Sequence, residues 1–152
     1  MNAATPRYFE DYAPGSVFEA GPITVSEDEI IEFARRYDPQ AMHVDPAAAA
    51  AGPFAGLIAS GWHTAGLMMR LFVAHFLSPA SSIASPGVDE LRWLLPVRPG
   101  DRLSLRVTVL EARRSHSRPE EGIVRSLVEV LNQDGAVAMS LKSVSFVACR
   151  PT

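Results

Sequence analysis

LIASGWHTAGLMMRLFVAHFL, residues 57–77, places Trp62, Ala65, Leu67, Met68, Leu71, Phe72 and Phe76 so densely that a helix opening at Ser60-Gly61 is apolar on nearly every side. A helix of that kind belongs at the centre of a domain, wrapped by other elements. The competing use of so apolar a run is a membrane span, but His63, Arg70 and His75 make burial in hydrocarbon expensive. The run therefore predicts a helix buried in protein, ended by Ser78-Pro79 and the Ala/Ser-rich stretch that follows.

Beyond Pro86 the spacing changes from helical to alternating. Leu103, Leu105, Val107 and Val109 point one way, and Arg102, Ser104, Arg106 and Thr108 the other, which is the pattern of a half-buried strand. Val88 to Leu95 predicts a strand before Pro96 and the Pro99-Gly100 turn. Arg113 to Gly122 predicts a polar hairpin loop, and Ile123–Leu131 and Val137–Val147 two strands around the turn Asn132–Gly135. The apolar phase of the last strand shifts near Ser143, as a bulge would cause.

Upstream, Val17 to Val25 predicts a first strand. Ser26 then opens a helix with Glu29 as its capping-box partner and Val25 and Ile30 as a hydrophobic staple, and Ile30, Ile31, Phe33, Ala34 and Tyr37 form its apolar stripe. Pro39 ends that helix and leaves Asp38 at its exit, at the head of a turn running to His43. Asp45 caps a short second helix, Pro46 to Ala51, with Gly52 as its stop. The order of elements is α+β: a strand, helices, one long apolar helix, then four strands pairing antiparallel.

Composition narrows the rest. A chain of 152 residues with 47% hydrophobic content suits one core, read as a single domain over residues 1–152. A net charge of -3 provides no general attraction for nucleic acid or anionic membrane. Thirteen of the fourteen basic residues are arginine, which composition bias explains as well as phosphate recognition does. Cys149 is the only cysteine, so no intramolecular disulfide or multi-cysteine metal site is expected, and a reducing, cytoplasmic compartment fits. Met1 to Tyr12 contains no apolar segment of secretory type.

Three residues could carry chemistry. Asp38 before a proline reads on its own as a residue bonding its own turn, and His43 alone as an ordinary surface or hydrogen-bonded histidine; Gly61 reads as a packing glycine at a crowded helix start. Together they read differently. Phe33 to Asp45, FARRYDPQAMHVD, resembles the hydratase motif D-x-N-P-x-H-x-D of the MaoC-like dehydratase family, with Asp38, His43 and Asp45 in register and Gly61 where that family has the glycine opening its central helix. Gln40 stands for the usual Asn, Ala41 for Pro, and Ser60 for a frequent His.

The resemblance implies a hotdog fold, an antiparallel sheet wrapped around the long apolar helix. It implies an (R)-specific enoyl-CoA hydratase-like or acyl dehydratase activity on a coenzyme A or acyl-carrier thioester, without metal or redox cofactor, in a homodimer or higher homo-oligomer. It casts Asp38 and His43 as a dyad sharing one water and the Gly61 N–H as the oxyanion donor. Gln40, Ser60 and Trp62 are then expected against the substrate, with Phe54 and Met69 as pocket walls and Arg92, Arg98 and Arg102 as candidates for coenzyme A phosphates. Asp45 is expected as a helix cap that orients the loop. The rival readings are an acyl-CoA thioesterase, which would release free thiol, and a non-catalytic subunit that only binds acyl thioesters.

Overall fold

The computed structural model describes residues 5–152, so the first four residues of the Met1 to Tyr12 stretch, read as free of a secretory segment, lie outside the described part. After a single 3-10 turn, Phe9–Asp11, come strand β1 (Val17–Thr24), helices α1 (Glu27–Tyr37), α2 (Ala41–Val44), α3 (Pro46–Ala50) and α4 (Gly61–His75), and strands β2 (Ser82–Trp93), β3 (Arg102–Arg114), β4 (Glu121–Leu131) and β5 (Val137–Ala148). The strands form one antiparallel sheet in the order β1-β3-β4-β5-β2. This is the expected α+β hotdog arrangement. Among the described residues no helix is long and apolar enough to cross a membrane.

Alternation decides which sheet face meets α4. Leu103, Leu105, Val107 and Val109 of β3, Val124, Val128 and Val130 of β4, and Met139, Leu141 and Val147 of β5 are all buried, in one core with Leu67, Met68, Leu71 and Phe72 of α4. At the end of α4, Tyr12 donates its hydroxyl to the Phe76 carbonyl at 2.7 Å, and Arg7 adds a guanidinium to the same carbonyl at 2.9 Å. These donors satisfy helix-end acceptors and complement the negative pole of the helix.

The upstream signals hold in detail. Ser26 Oγ accepts the Glu29 N–H at 3.2 Å while Glu29 Oε2 accepts the Ser26 N–H at 3.2 Å, and Val25 and Ile30 are fully buried. Asp45 Oδ1 accepts from the Ala47 and Ala48 N–H groups at 3.1 Å each.

Several expectations need correction. The turn from Asp38 to His43 contains the helical turn α2. Tyr37 is not part of the buried stripe: it is 68% exposed and leans on Phe33. β2 begins at Ser82, six residues before the predicted start, because its Ala/Ser-rich beginning pairs with β5. β3 and β4 likewise run two residues further into the polar hairpin than predicted. β5 carries no bulge at Ser143 in its ladder with β4, where Ser126↔Ser143, Arg125↔Val144 and Val124↔Ser145 pair in regular register. The phase shift is chemical: Ser143 and Ser145 occupy buried positions in the alternation that also buries Met139, Leu141 and Val147. Finally, α4 is buried on one face only, with Trp62, Met69 and Val73 exposed beside an equally exposed β2.

Candidate active site

The chain brings its candidate residues together through α2 and the buried segment Leu57-Ile58-Ala59-Ser60. Asp38 follows α1 with its N–H on the Ala34 carbonyl, and Pro39 turns the chain into α2, which carries His43. The Ile58 N–H bonds the Met42 carbonyl at 3.1 Å and the Ala59 N–H bonds the Val97 carbonyl at 2.8 Å, threading the segment between α2 and the residues after β2. The segment delivers Ser60 and Gly61 beside Asp38 and His43.

His43 is buried, with Nδ1 2.6 Å from the Ile58 carbonyl oxygen and Nε2 3.4 Å from Asp38 Oδ2. A carbonyl only accepts, so Nδ1 carries a proton, and in the neutral ring Nε2 presents a lone pair toward the carboxylate. Asp38 is held from two sides: Gln40 Nε2 donates to Oδ1 at 2.7 Å and Ser60 Oγ donates to Oδ2 at 2.7 Å. The Gln40 amide first and the Ser60 hydroxyl second keep the Asp38 carboxyl below the usual carboxylate range, with attraction to His43 adding to them and partial burial opposing. The pair therefore offers two acceptors a short distance apart, the arrangement that one water molecule donating both hydrogens would bridge.

Ser60 also organises the start of α4. Its Oγ accepts the Trp62 N–H at 3.3 Å, and its carbonyl accepts those of His63 and Thr64 at 3.0 and 3.1 Å. Of the first-turn donors, the Gly61 N–H alone finds no acceptor among the described residues. Gly61 has a packing reason as well, since a β-carbon there would collide with the Trp93 indole. Both readings of this glycine are compatible with the geometry.

A cavity of about 380 Å3 reaches His43 and Gly61, with Phe54, Ile58, Thr64 and Trp93 among its walls. Asp38 stands behind His43 rather than lining it. Of the three residues expected against substrate, Ser60 is fully buried and spends its hydroxyl on Asp38, Gln40 is exposed and directed at Asp38, and Trp62 lies outside this cavity, edge-on to Trp93 at 5.1 Å. Ser60 and Gln40 thus act on the carboxylate. Phe54 is a wall as expected, and Met69 lines a different cavity. Arg98 Nη2 is bonded to the Phe54 carbonyl at 2.7 Å, which commits it to bracing that loop. The Ile58 carbonyl and Trp93 were not foreseen. A backbone acceptor leaves no trace in residue type, whereas an aromatic at the end of a strand in a glycine-poor segment was a visible signal.

His63, in the first turn of α4, is buried and stacked on Phe33 at 4.9 Å, and burial lowers its pKa with Glu29 opposing.

A helix-centred antiparallel sheet with an acid–imidazole pair at the helix start defines a hotdog protein of dehydratase type. Residues 10–133 match the MaoC-like domain family, and the chain belongs to that family, one of hydratases and dehydratases. It is 35% identical to the Bacillus subtilis protein YdeM over 82% of this chain and 86% of that one. It is 29% identical to the 3-hydroxyacyl-thioester dehydratase Z of Mycobacterium tuberculosis, over 83% and 85% respectively. The crystal structure of the MaoC-like dehydratase from Rhodospirillum rubrum superimposes with a TM-score of 0.90 at 39% identity, covering 96% of this chain and 99% of that one.

Proposed function

We propose that this chain is a hydro-lyase that reversibly adds water to a 2-enoyl thioester, as an acyl dehydratase or (R)-specific enoyl-CoA hydratase-like enzyme. The observation that carries the reading is that His43, paired with Asp38 at 3.4 Å, lines one cavity with Gly61, whose N–H has no acceptor among the described residues. Water held by Asp38 Oδ2 and His43 Nε2 attacks C3. Its oxygen bonds to C3 while one hydrogen passes to His43 Nε2, and the electron pair of the double bond moves to C2 and the thioester oxygen. The Gly61 N–H stabilises that oxygen as charge develops. The imidazolium then returns a proton to C2, so that H and OH have been added and nothing else consumed. Asp38, held ionised by Gln40 and Ser60, orients the water beside His43. The reaction so written calls for no metal or redox cofactor.

The same reading makes the chain a homodimer, because β2 is an outer strand with Ile83, Val88 and Trp93 exposed, and a second copy would cover that edge. Sedimentation at micromolar concentration checks this, with a monomer as the contrary result. The activity is tested by following loss of enoyl-thioester absorbance on short and medium 2-enoyl-CoAs with free thiol measured in parallel. Absorbance loss without thiol, absent in Asp38→Asn, is expected; thiol release would replace the reading with a thioesterase.

A further inference from the structure

The cavity at His43 is not the only one between α4 and β2. A second, of about 250 Å3, lies further along the same two elements, lined by Met68 and Phe72 of α4, Ser85 and Val88 of β2, and Ser143 and Ser145 of β5. With 3.6 residues to a turn, Gly61, Ala65, Met68 and Phe72 fall on one stripe of α4. Gly61 lines the first cavity and Met68 and Phe72 the second, so the two are strung along one stripe of the helix.

The floor of the far cavity is unusual for its place. Its neighbours on the inward sheet face, Val124, Val128, Val130, Met139, Leu141 and Val147, are buried and apolar, but Ser126 and Ser143 stand directly opposite each other in the series. Ser143 is 6% exposed and Ser126 fully buried, and neither hydroxyl has a hydrogen-bond partner among the described residues. Ser145, 5% exposed, lines the same cavity. A hydroxyl buried without a partner disfavours the folded chain relative to an apolar group of similar shape. Packing alone would be served by valine or alanine at these positions. Ser143 lines the cavity with its hydroxyl buried and unpartnered among the described residues, and an occupant whose oxygen reached that hydroxyl would supply the missing partner.

Resting on the reading of Asp38, His43 and Gly61 as a thioester hydration site, we propose that the far cavity receives the distal part of the acyl chain and selects a chain carrying a hydroxyl or keto oxygen, bonded by Ser143 with Ser126 behind it. The substrate class is an oxygenated medium-chain acyl thioester. Met68 is seven residues beyond Gly61, about 10 Å at ~1.5 Å per residue. A zigzag chain with carbon–carbon bonds of about 1.5 Å covers that span in about eight carbons, which places the oxygen near the eighth.

The test compares 2-decenoyl-CoA with its analogues bearing a hydroxyl or a keto group at about the eighth carbon. The expected result is a kcat/KM about tenfold higher for the oxygenated chains, the size of one hydrogen bond, with that ratio collapsing toward unity in Ser143→Ala and Ser143→Val. The same compounds are titrated calorimetrically into Asp38→Asn, where turnover is not needed and the same preference is expected. Hydration with no preference for oxygen, or a preference that survives Ser143→Ala, overturns the inference. If no enoyl thioester is hydrated, the functional reading fails, and calorimetry alone decides the cavity: preference lost with Ser143 sustains it, and absent or indiscriminate binding overturns it.

Discussion

Two regions along α4 treat buried oxygens in opposite ways. Around Asp38, both carboxylate oxygens have donors, His43 Nδ1 has the Ile58 carbonyl, and the Ser60 hydroxyl serves Asp38 and the Trp62 N–H together. Beside the far cavity, Ser126 and Ser143 have no partner among the described residues. The first region is organised before any ligand arrives, which is what charge stabilisation in a transition state requires. The second is incomplete without an occupant, which is what selection of a ligand requires, since an unmatched polar group penalises the wrong one.

The contrast breaks most visibly at the pair itself. Asp38→Asn or His43→Gln should lower kcat by about 10²- to 10⁴-fold with the fold intact by circular dichroism; activity within a few-fold of the parent would show that preorganisation there serves structure alone. Gly61→Ala should cost about 10²- to 10³-fold in kcat if the N–H is displaced from the oxyanion, and should also lower Tm because of Trp93. The double variant Gly61→Ala, Trp93→Ala separates the two causes: Tm should recover while kcat does not, and recovery of both would leave Gly61 a packing residue.

Serine substitutions sharpen the comparison through the sign of their effects. Ser60→Ala should destabilise by about 1–3 kcal/mol, because it removes a satisfied buried hydroxyl and leaves the carboxylate short of a donor. Ser143→Val should stabilise by about 1 kcal/mol, raising Tm by about 2–4 °C in a chain of this size. Two changes of the same sign by thermal denaturation would erase the distinction.

The smallest effects concern pH. Asp38 has a carboxyl held below its unfolded value, so its contribution to stability is present above the ordinary carboxylate range and is lost as pH falls through the lowered folded value. Gln40→Ala and Ser60→Ala each move that value upward. The acid limb of kcat/KM should shift to higher pH in both variants, with little change in Tm for Gln40→Ala because Gln40 is exposed. Unmoved limbs would mean that neither residue tunes the carboxylate.

Much of the frame was legible in residue order because its signals are local. The capping box at Ser26 and Glu29, the Asp45 cap, the stop at Pro39 and the apolar period of α4 each involve residues within a few positions of one another. Strand ends were misplaced where pairing, which is non-local, overrode weak propensity: Ser82 to Gly87 are extended because β5 lies beside them. Ser143 was misread for a related reason. A serine in an apolar alternation looks like a slipped phase until the register with β4 shows it pointing inward.

By itself the sequence determined the α+β order, the central helix and the candidates Asp38, His43 and Gly61, since periodicity, capping and motif spacing are written in neighbouring residues. Only the tertiary structure decided that Ser60 and Gln40 hold the carboxylate, that the Ile58 carbonyl sets the His43 proton, that Trp93 packs on Gly61, and that two serines beside the far cavity lack a partner among the described residues. The physical reason is distance along the chain. A hydrogen bond between residues fifteen or twenty-two positions apart, such as those of His43 and Ser60, depends on the path of the intervening backbone, and residue type alone does not specify that path.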